Sequence, residues 1–414
     1  MIVCRFCQAP LTRTFIDLGH QPPSNSFLTA DQLREPETHY PLKVYVCTNC
    51  WLVQIPESKK ASEIFRDDYV YMSSTSESWV RHAKEYVDMI VERLGLNENS
   101  FIMEVGCNDG YLLQHVEEKG IPCLGFEPSD GPFIEAVNKG ITCSPRFFGE
   151  EEAKRISFAQ GRADLICGIN VLAHQPDIND FVRGLKIALK PGGTVTMEFP
   201  SLQRLVEGGL WDTIYHEHYS YFSLITITNI FEESGLSIYD VEELPTHGGS
   251  FRVYAKHKGE KIYDSANMIE CHGRTNSILD KEYRYGLRVS DFYASLAPRA
   301  QSCRREFMNW LLSIPCDQVV VGYGAAAKAN TFLNYCGVRA DMLPFVADKS
   351  PQKVGKFMPG SHIPVISIEQ MMKIQPDYIV ILAWNLKEEI MEELKACREW
   401  GAKFVVAMPR LEVA

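Results

Sequence analysis

The chain has 414 residues, of which 45% are hydrophobic and 23% charged, as in soluble globular proteins. Its net charge of −11, from 42 Lys and Arg against 53 Asp and Glu, disfavours a protein that grips nucleic acid through its phosphates, so we predict no nucleic-acid partner. The length predicts roughly two to four domains. There is no basic-then-apolar leader pattern and no run of about 18 apolar residues, so we predict a cytoplasmic protein without a membrane span.

The first segment, residues 1–70, carries two C-x2-C pairs, Cys4 with Cys7 and Cys47 with Cys50. Each pair can bring two thiolates to one side of a tight turn, and two such turns complete the tetrahedral four-sulfur shell that suits Zn2+. We predict a structural zinc site, because four thiolates leave no open position for a substrate. The alternative is four free thiols in a loop-rich segment. Thirteen cysteines, an odd number, fit reduced thiols and a metal site better than a disulfide framework.

The middle segment, residues 71–255, opens with "SFIMEVGCNDGYLLQHVEEKG", which predicts a strand, a glycine turn and a helix. The strand ends at Glu104, and Gly106 and Gly110 bracket the turn. The next strand ends at Glu127, about 20 residues after the glycines, where an acid can receive two ribose hydroxyls. Further strands and helices alternate up to "TVTMEFP". This pattern predicts a parallel sheet that binds ligands at the carboxyl ends of its strands.

The composition of the glycine turn favours one cofactor over another. A nicotinamide dinucleotide requires G-x-G-x-x-G, so that backbone amides approach a pyrophosphate. Here an acid stands two residues before the first glycine. S-adenosylmethionine carries an ammonium and a sulfonium but no phosphate, so it suits this turn better, and "LKPGG" is also usual in methyltransferases. We predict that S-adenosylmethionine binds here, with Asn108 among its contacts; a Rossmann dehydrogenase is the alternative, as is a solvated strand-end carboxylate for Glu127.

The stretch "TIYHEHYSYFS" concentrates titratable side chains just after this sheet. Tyr215, Glu217 and His218 lie within four residues, so an imidazole has a phenol or a carboxylate nearby that can tune it. An unperturbed histidine pKa of about 6.5 suits a general base near neutral pH. The alternative is aromatic packing, with the histidines satisfied by backbone carbonyls. The residues alone do not choose the base among His218, His216 and His174.

The last segment, residues 256–414, begins with a mostly helical stretch, roughly Asn267 to Leu312. A second strand, glycine turn and helix follow in "DQVVVGYGAAAKANTFLNYCG", with Lys328 at the helix start. Helix amides and a lysine favour an anion such as the diphosphate of a sugar nucleotide; a solvent-directed lysine is the alternative. The predicted fold is therefore α/β: a small zinc-binding module, a central class I (Rossmann-like) methyltransferase domain and a second Rossmann-like α/β domain.

Several longer motifs carry a resemblance that covers nearly the whole chain. They are the two cysteine pairs, "LGHQPPSNSF", "DYVYMSSTS", "EVGCNDGYLL", "IYHEHYSY", "HGGSFRVY" and "GYGAAAKANTFLNYCG". The chain resembles the S-adenosylmethionine-dependent sugar C-methyltransferases that act at C3 of nucleotide-linked 4-keto-deoxysugars. In the late glycine motif this chain has Ala326 where family members often have proline.

The resemblance implies a substrate, a nucleotide-linked keto-deoxysugar, and roles for named residues. His218 is the implied base, and the other residues implied around it, the methyl donor and the sugar are Tyr215, Glu217, Tyr69, Asn170 and His174. The base would remove the C3 proton, and the resulting enolate would take the methyl group. Further predicted substrate contacts are His247, Arg252, Tyr323 and Lys328, although Arg252 fits an ion pair at a strand edge equally well. The alternatives are O- or N-methylation of another small molecule and a zinc-ribbon nucleic-acid methyltransferase.

Overall fold

The computed structural model describes residues 2–65, 71–260 and 265–414. The strands are β1 (Arg13–Gln21), β2 (Tyr40–Val46), β3 (Val53–Gln54), β4 (Ile102–Val105), β5 (Cys123–Phe126), β6 (Cys143–Ser144), β7 (Ala163–Ile169), β8 (Leu189–Pro200), β9 (Ser220–Tyr221), β10 (Leu236–Leu244), β11 (Ser250–His257), β12 (Val320–Tyr323), β13 (Val346–Ala347), β14 (Val365–Ile366), β15 (Tyr378–Ile381), β16 (Lys403–Val406) and β17 (Glu412–Val413). The α-helices are α1 (Ala61–Ile64), α2 (Glu77–Leu94), α3 (Leu113–Glu117), α4 (Asp130–Asn138), α5 (Glu150–Ala159), α6 (Ile178–Ala188), α7 (Leu202–Gly208), α8 (Leu224–Glu233), α9 (Ser265–Tyr285), α10 (Ser290–Ala294), α11 (Leu296–Ser313), α12 (Ala327–Cys336), α13 (Ile368–Ile374) and α14 (Lys387–Glu393).

These elements fall into two compact units that interleave along the chain. The first unit comprises Met1–Arg13, Val46–Gln203 and His218–Phe292, and the second comprises Thr14–Tyr45, Arg204–Glu217 and Tyr293–Ala414. The predicted segments 1–70, 71–255 and 256–414 follow chain order and stay a prediction. Within the described residues, no helix is both long enough and apolar enough to cross a membrane.

Seven strands of the first unit form one sheet in the order β10-β11-β8-β7-β4-β5-β6. β4 to β8 are parallel, and β11 runs antiparallel between β8 and β10. This confirms the predicted Rossmann-like methyltransferase sheet, in which β4 and its glycine turn are central. The Pro-Gly-Gly sequence lies inside β8, close to a register shift in the β7–β8 pairing.

Helix α2 covers one face of this sheet because its apolar residues recur at helical spacing. Ala83, Tyr86, Val87 and Ile90 are buried against the sheet core that includes Ile102. The helix begins at the Ser76 cap, whose hydroxyl accepts a hydrogen bond from a backbone amide, and it ends at a left-handed glycine. The long helix is thereby fixed beneath the strand that leads into the glycine turn.

A buried carboxylate from α9 holds the start of α8 in the first unit. Glu282 is fully buried, and its two oxygens accept hydrogen bonds from the backbone amides of Leu224 (2.7 Å) and Ile225 (2.8 Å). These amides have no partner within their own helix, so the carboxylate satisfies them. Burial nevertheless outweighs the two bonds and raises the pKa of Glu282 from its ordinary value of 4.5 to about 7.

This raised pKa predicts a pH-dependent stability. Because the folded-state pKa lies above the unfolded one, the stability that Glu282 contributes is complete below pH 4.5 and is lost as the pH rises through about 7. We expect the free energy of unfolding of the wild type, relative to that of Glu282→Gln, to fall by about 3 kcal/mol between pH 4.5 and 8. Urea denaturation of both proteins measures this difference. Glu270→Gln, at an exposed position of the same helix, is the control. A difference in the free energy of unfolding between wild type and Glu282→Gln that does not change with pH would refute the raised pKa of Glu282.

The second unit contains a six-stranded sheet in the order β14-β13-β12-β15-β16-β17. All its pairings are parallel except that of β17 with β16, which confirms the predicted second Rossmann-like unit. Its core includes Val321, Ile379, Ile381 and Phe404, all of them buried. The predicted helical stretch before it consists of α9, α10 and α11, because Gly286 in a left-handed conformation ends α9.

Candidate active site

The four predicted metal ligands lie together in the first unit. The sulfur atoms of Cys4, Cys7, Cys47 and Cys50 are all within 4.8 Å of one another. The two pairs share one turn geometry. Gln8 and Trp51, each four positions after the first cysteine of its pair, have a positive φ and donate their backbone amides to the carbonyls of Cys4 and Cys47. A cluster of four sulfurs and no other donor fits tetrahedral Zn2+.

The glycine turn after β4 has little room for side chains. Gly106 has a φ of 71°, and a Cβ there would lie 2.8 Å from Cγ2 of Val171. Gly110 has a φ of 75°, and a Cβ there would lie 2.9 Å from Cγ1 of Ile141. Both positions therefore require glycine, because a side chain at either one would clash and would be strained at this φ.

Two acids flank this turn as the sequence predicts. Glu127 is 6% exposed; one oxygen accepts from the amide of Asn108 (3.1 Å) and the other from the amide of Ser129 (2.8 Å). Glu104 is fully buried, and neither of its carboxylate oxygens has a hydrogen-bond partner among the described residues. Burial raises the pKa of both carboxyl groups. An unpartnered buried carboxylate is costly, so this pair suits a cationic ligand such as the ammonium-bearing S-adenosylmethionine.

The turn also holds the segment that follows the zinc module. The side chain of Asn108 accepts from the amide of Ser73 (2.8 Å) and donates to the carbonyl of Tyr71 (3.1 Å). Asp109 accepts from the amide of Ser74 (3.2 Å) and from its hydroxyl. The sequence analysis missed Asp109, although its place beside Asn108 in the turn was a usable signal. Tyr69 lies outside the described residues.

Two of the candidate bases are in ring contact in the first unit. His174 ends the 3-10 turn Leu172–His174 after β7, and His218 lies two residues before β9. Their ring centroids are 4.9 Å apart, with the planes tilted by 56°. Phe65 packs edge-on against His174 at 5.5 Å, and Tyr221 edge-on against His218 at 5.9 Å. His218 is 9% exposed. The chain thus holds a pair of imidazoles between two aromatic rings, with a small part of His218 accessible.

Two further residues, which were predicted separately for the cofactor and the substrate, also meet in this unit. The side-chain amide of Asn170 lies 3.0 Å from Nε2 of His247. Both residues have positive φ values, 56° and 53°. The backbone amide of Asn170 donates to the carbonyl of Glu198 (2.8 Å). The ring centroids of His247 and Trp79 are 5.0 Å apart. Strained non-glycine backbone of this kind is retained where the surroundings determine it fully, often at functional sites.

Arg252, predicted either as a substrate contact or as an ion pair at a strand edge, forms ion pairs in the structure. It is 5% exposed and donates to Glu198 (2.9 Å) and Glu242 (3.3 Å). His82 joins the same cluster, with Nε2 at 3.0 Å from both oxygens of Glu198. The ion pair lies on an inner strand, β11, rather than at a sheet edge. His82 and Glu198 had no motif to mark them, since their pairing joins a helix to a strand far along the chain.

The part of the stretch "TIYHEHYSYFS" that belongs to the second unit is held by hydrogen bonds. Glu217 is buried, and one oxygen accepts from both the backbone amide (3.1 Å) and the side-chain amide (3.2 Å) of Asn25. Burial raises the pKa of Glu217. Tyr215 is half-buried and follows Ile214, whose carbonyl accepts from the hydroxyl of Thr331 (2.8 Å) on α12. The predicted "LGHQPPSNSF" motif therefore acts here through Asn25.

Lys328 lies at the start of α12 but does not point into solvent. Its ammonium donates to the side chain of Asn385 (2.7 Å) and lies 4.9 Å from the ring centre of Trp384. The indole of Trp384 donates to Asp212 (2.6 Å). Burial lowers the pKa of Lys328, while burial raises that of Asp212 to about 6.

An acid that the sequence analysis missed follows β13. One oxygen of Asp348 accepts from the amide of Ala325 in the second glycine turn (2.7 Å), and the other accepts from the amide of Ser350 (2.8 Å). Glu127 makes the equivalent contacts in the first unit: it accepts from the amide of Asn108 in the glycine turn and from the amide of Ser129, two residues after itself. Tyr323 at the end of β12 is 4% exposed, and burial raises its pKa.

Comparison with known proteins decides the family. Three protein families match the chain: a zinc binding domain over residues 4–65, a methyltransferase domain over 79–241 and a C-methyltransferase C-terminal domain over 245–409. C-methyltransferase NovU from Streptomyces niveus is 32% identical over 411 residues, which are 99% of this chain and 96% of NovU. The chain belongs to the sugar C-methyltransferase family. This sugar C-methyltransferase depends on S-adenosylmethionine and binds zinc, and the glycine turn and the four cysteines fit these two cofactors.

More distant proteins cover less than half of this sugar C-methyltransferase. Ubiquinone biosynthesis O-methyltransferase from Escherichia coli O9:H4 is 28% identical over 133 residues, which are 31% of this chain and 54% of that protein. The solved structure of magnesium protoporphyrin IX methyltransferase (ChlM) from Synechocystis PCC 6803 covers 43% of this chain and 81% of its own. It has 18% identity and a TM-score of 0.32.

Proposed function

We propose that this enzyme methylates C3 of a nucleotide-linked 4-keto-deoxysugar. The observation that carries the proposal is the imidazole pair, with His174 and His218 at 4.9 Å between ring centroids. It belongs to the same unit as the glycine turn and Glu127. A C-methyltransferase must turn a carbon atom into a nucleophile, and an imidazole is a suitable base for a carbon acidified by a neighbouring ketone.

The proposed reaction starts with proton removal. A hydrogen on the carbon next to a ketone is acidic because the negative charge that remains moves onto oxygen as an enolate. His218 takes the C3 proton, and a hydrogen-bond donor stabilises the charge on the C4 oxygen. S-adenosylmethionine, held by Glu104, Asn108 and Glu127, would supply the methyl group: the bond from that methyl to sulfur would break as the C3 carbon bonds to it, and S-adenosylhomocysteine would leave. His174 orients the ring of His218 by packing against it.

We assign the remaining predicted residues by position. Glu104, Asn108 and Glu127 around the first glycine turn hold the methyl donor, with Asn170 close to it. In the second unit, the glycine turn before Lys328 binds the diphosphate of the sugar nucleotide. Asp348 supports this assignment, since it holds the place where an acid receives ribose hydroxyls in nucleotide-binding sheets.

The test follows methyl transfer and proton exchange separately. The enzyme is incubated with S-adenosylmethionine and a nucleotide-linked 4-keto-6-deoxysugar, and NMR is expected to show a new methyl group on C3. In deuterated water with S-adenosylhomocysteine instead, the C3 hydrogen is expected to exchange without methylation. The matched 4-hydroxy sugar is the control, and it is expected to give neither signal. A methyl group on oxygen or nitrogen of that sugar would establish the alternative activity.

The assignment of Glu127 to the methyl donor makes a binding prediction. Glu127→Gln removes the charge of the acceptor, and the loss of one charge-assisted hydrogen bond of about 1.5–3 kcal/mol is expected to raise the Kd for S-adenosylmethionine by about 10- to 100-fold. Isothermal titration calorimetry measures this Kd. Glu135→Gln, an exposed acid on the nearby helix α4, is the control. An unchanged Kd in a folded Glu127→Gln protein would remove Glu127 from the cofactor site.

A further inference from the structure

One arginine of the zinc module reaches out of its own turn. Arg5 lies between the two cysteines of the first pair, and its guanidinium donates to the carbonyl of Pro176 (2.7 Å) and to the carbonyl of Ile55. It also lies 5.2 Å from the ring centre of Tyr219. A planar guanidinium presents several donors in a fixed geometry and remains charged, so it can hold two carbonyls at a set separation.

The partners of Arg5 are neighbours of the imidazole pair. Pro176 is two residues after His174, and Tyr219 directly follows His218. The amide of Ile55 donates to the carbonyl of Tyr219 (3.0 Å), so Ile55 links Arg5 to the segment that carries His218. A single side chain therefore touches both segments that carry the two rings, the first through the carbonyl of Pro176 and the second through the ring of Tyr219.

The zinc module is attached to the His218 segment in a second way. β3, which follows the second cysteine pair, forms an antiparallel pair with β9, in which Gln54 faces Ser220. The side chain of Gln54 accepts from the amide of Arg5 (2.9 Å) and donates to the sulfur of Cys4 (3.1 Å). The metal cluster, Arg5 and β9 thus form one continuous set of hydrogen bonds.

We propose that Arg5 is a positioning residue of this enzyme, which sets the approach of His174 to His218 by tying both segments to the zinc module. The proposal rests on the proposed function in that it takes these rings as the base and its neighbour. It gives the zinc module a part in the reaction beyond the stability of its own fold. The side chain acts only through the backbone that it holds, so its loss changes the geometry of the pair and leaves the chemical groups in place.

The test uses two variants. Arg5→Met fills similar space but has no hydrogen-bond donor, and Arg5→Lys keeps the positive charge but lacks the planar guanidinium. Arg13→Met is the matched control, because Arg13 also donates to a backbone carbonyl (Ser290, 2.7 Å) that is not part of this set. Four quantities are measured on each full-length protein: zinc content, Kd for S-adenosylmethionine, NMR spectra of isotope-labelled histidine rings without substrate, and kcat with KM.

We expect Arg5→Met to keep its zinc and its Kd for S-adenosylmethionine while the ring signals of His174 and His218 shift. Its kcat falls by about 10- to 100-fold, as is usual when support behind functional groups is removed. Arg5→Lys recovers part of the loss, and Arg13→Met matches the wild type in all four measurements.

Unchanged ring signals and kcat in Arg5→Met would overturn the proposal. Loss of zinc from both Arg5 variants would also overturn it, since Arg5 would then serve to retain the metal. The ring spectra need no substrate, so they decide the role of Arg5 even if the wild type methylates no keto sugar. That last result would count against the proposed function alone.

Discussion

Replacement of His218 by asparagine is expected to lower kcat for C3 methylation by about a thousandfold, within the range that general bases contribute. Asparagine keeps a polar group near the ring position but cannot accept a proton near neutral pH. The same variant is expected to lose C3 deuterium exchange in the presence of S-adenosylhomocysteine. Exchange reports proton removal alone, so it separates a lost base from a lost methyl transfer.

Two neighbouring histidines make this prediction specific. His174→Asn is expected to cost less, because it removes the packing neighbour and leaves the base. His216→Asn is expected to keep exchange, since its ring packs edge-on against Tyr40 at 6.1 Å within the second unit. Exchange that survives in His218→Asn but disappears in His174→Asn would transfer the role of base to His174.

Loss of the zinc ligands is expected to have the other large effect. Structural zinc contributes about 10–16 kcal/mol in zinc-finger peptides, which is comparable to or larger than the 5–15 kcal/mol stability of a whole domain. We therefore expect Cys50→Ser, or prolonged chelation, to unfold the zinc module. Since β3 pairs with β9, the disorder reaches the segment of His218 and abolishes activity while much of the seven-stranded sheet remains folded.

Limited proteolysis and zinc release measured together test this expectation. The zinc-depleted enzyme should be cleaved within its first 65 residues, and Cys316→Ser, an exposed cysteine outside the cluster, should behave as the wild type. A Cys50→Ser protein that retains full activity and protease resistance would show that the metal supports neither fold nor site.

The features that were predictable from sequence are those set by short spacing. Two cysteines three positions apart, or an acid at a strand end after a glycine turn, are placed by local geometry, so the zinc cluster and the position of Glu127 at the end of β5 were predicted. Asp348 carried a similar signal, but β13 has only two residues and gives almost no strand pattern. The alternation of strands and helices was enough for the fold class.

The contact between His174 and His218 had no such signal. It depends on β9 pairing with β3, a strand at the opposite end of the unit in sequence, and pairing at that range leaves no periodicity to read. Backbone conformation was equally hidden: Asn108, Asn170 and His247 all have positive φ values. Asparagine is enriched in that region, but a histidine there is uncommon, and only the completed fold determines it.

The β3–β9 pairing has a consequence for how the protein is made. Both cysteine pairs leave the ribosome early, yet the edge of β3 that pairs with β9 has no partner until Ser220 has been synthesised. At about 5–20 residues per second, that delay is on the order of ten seconds or more, during which the edge of β3 is unpaired. A two-residue edge is a poor template for aggregation, so the brevity of β3 protects the nascent chain. The four zinc ligands are therefore all synthesised before the segment that carries His218.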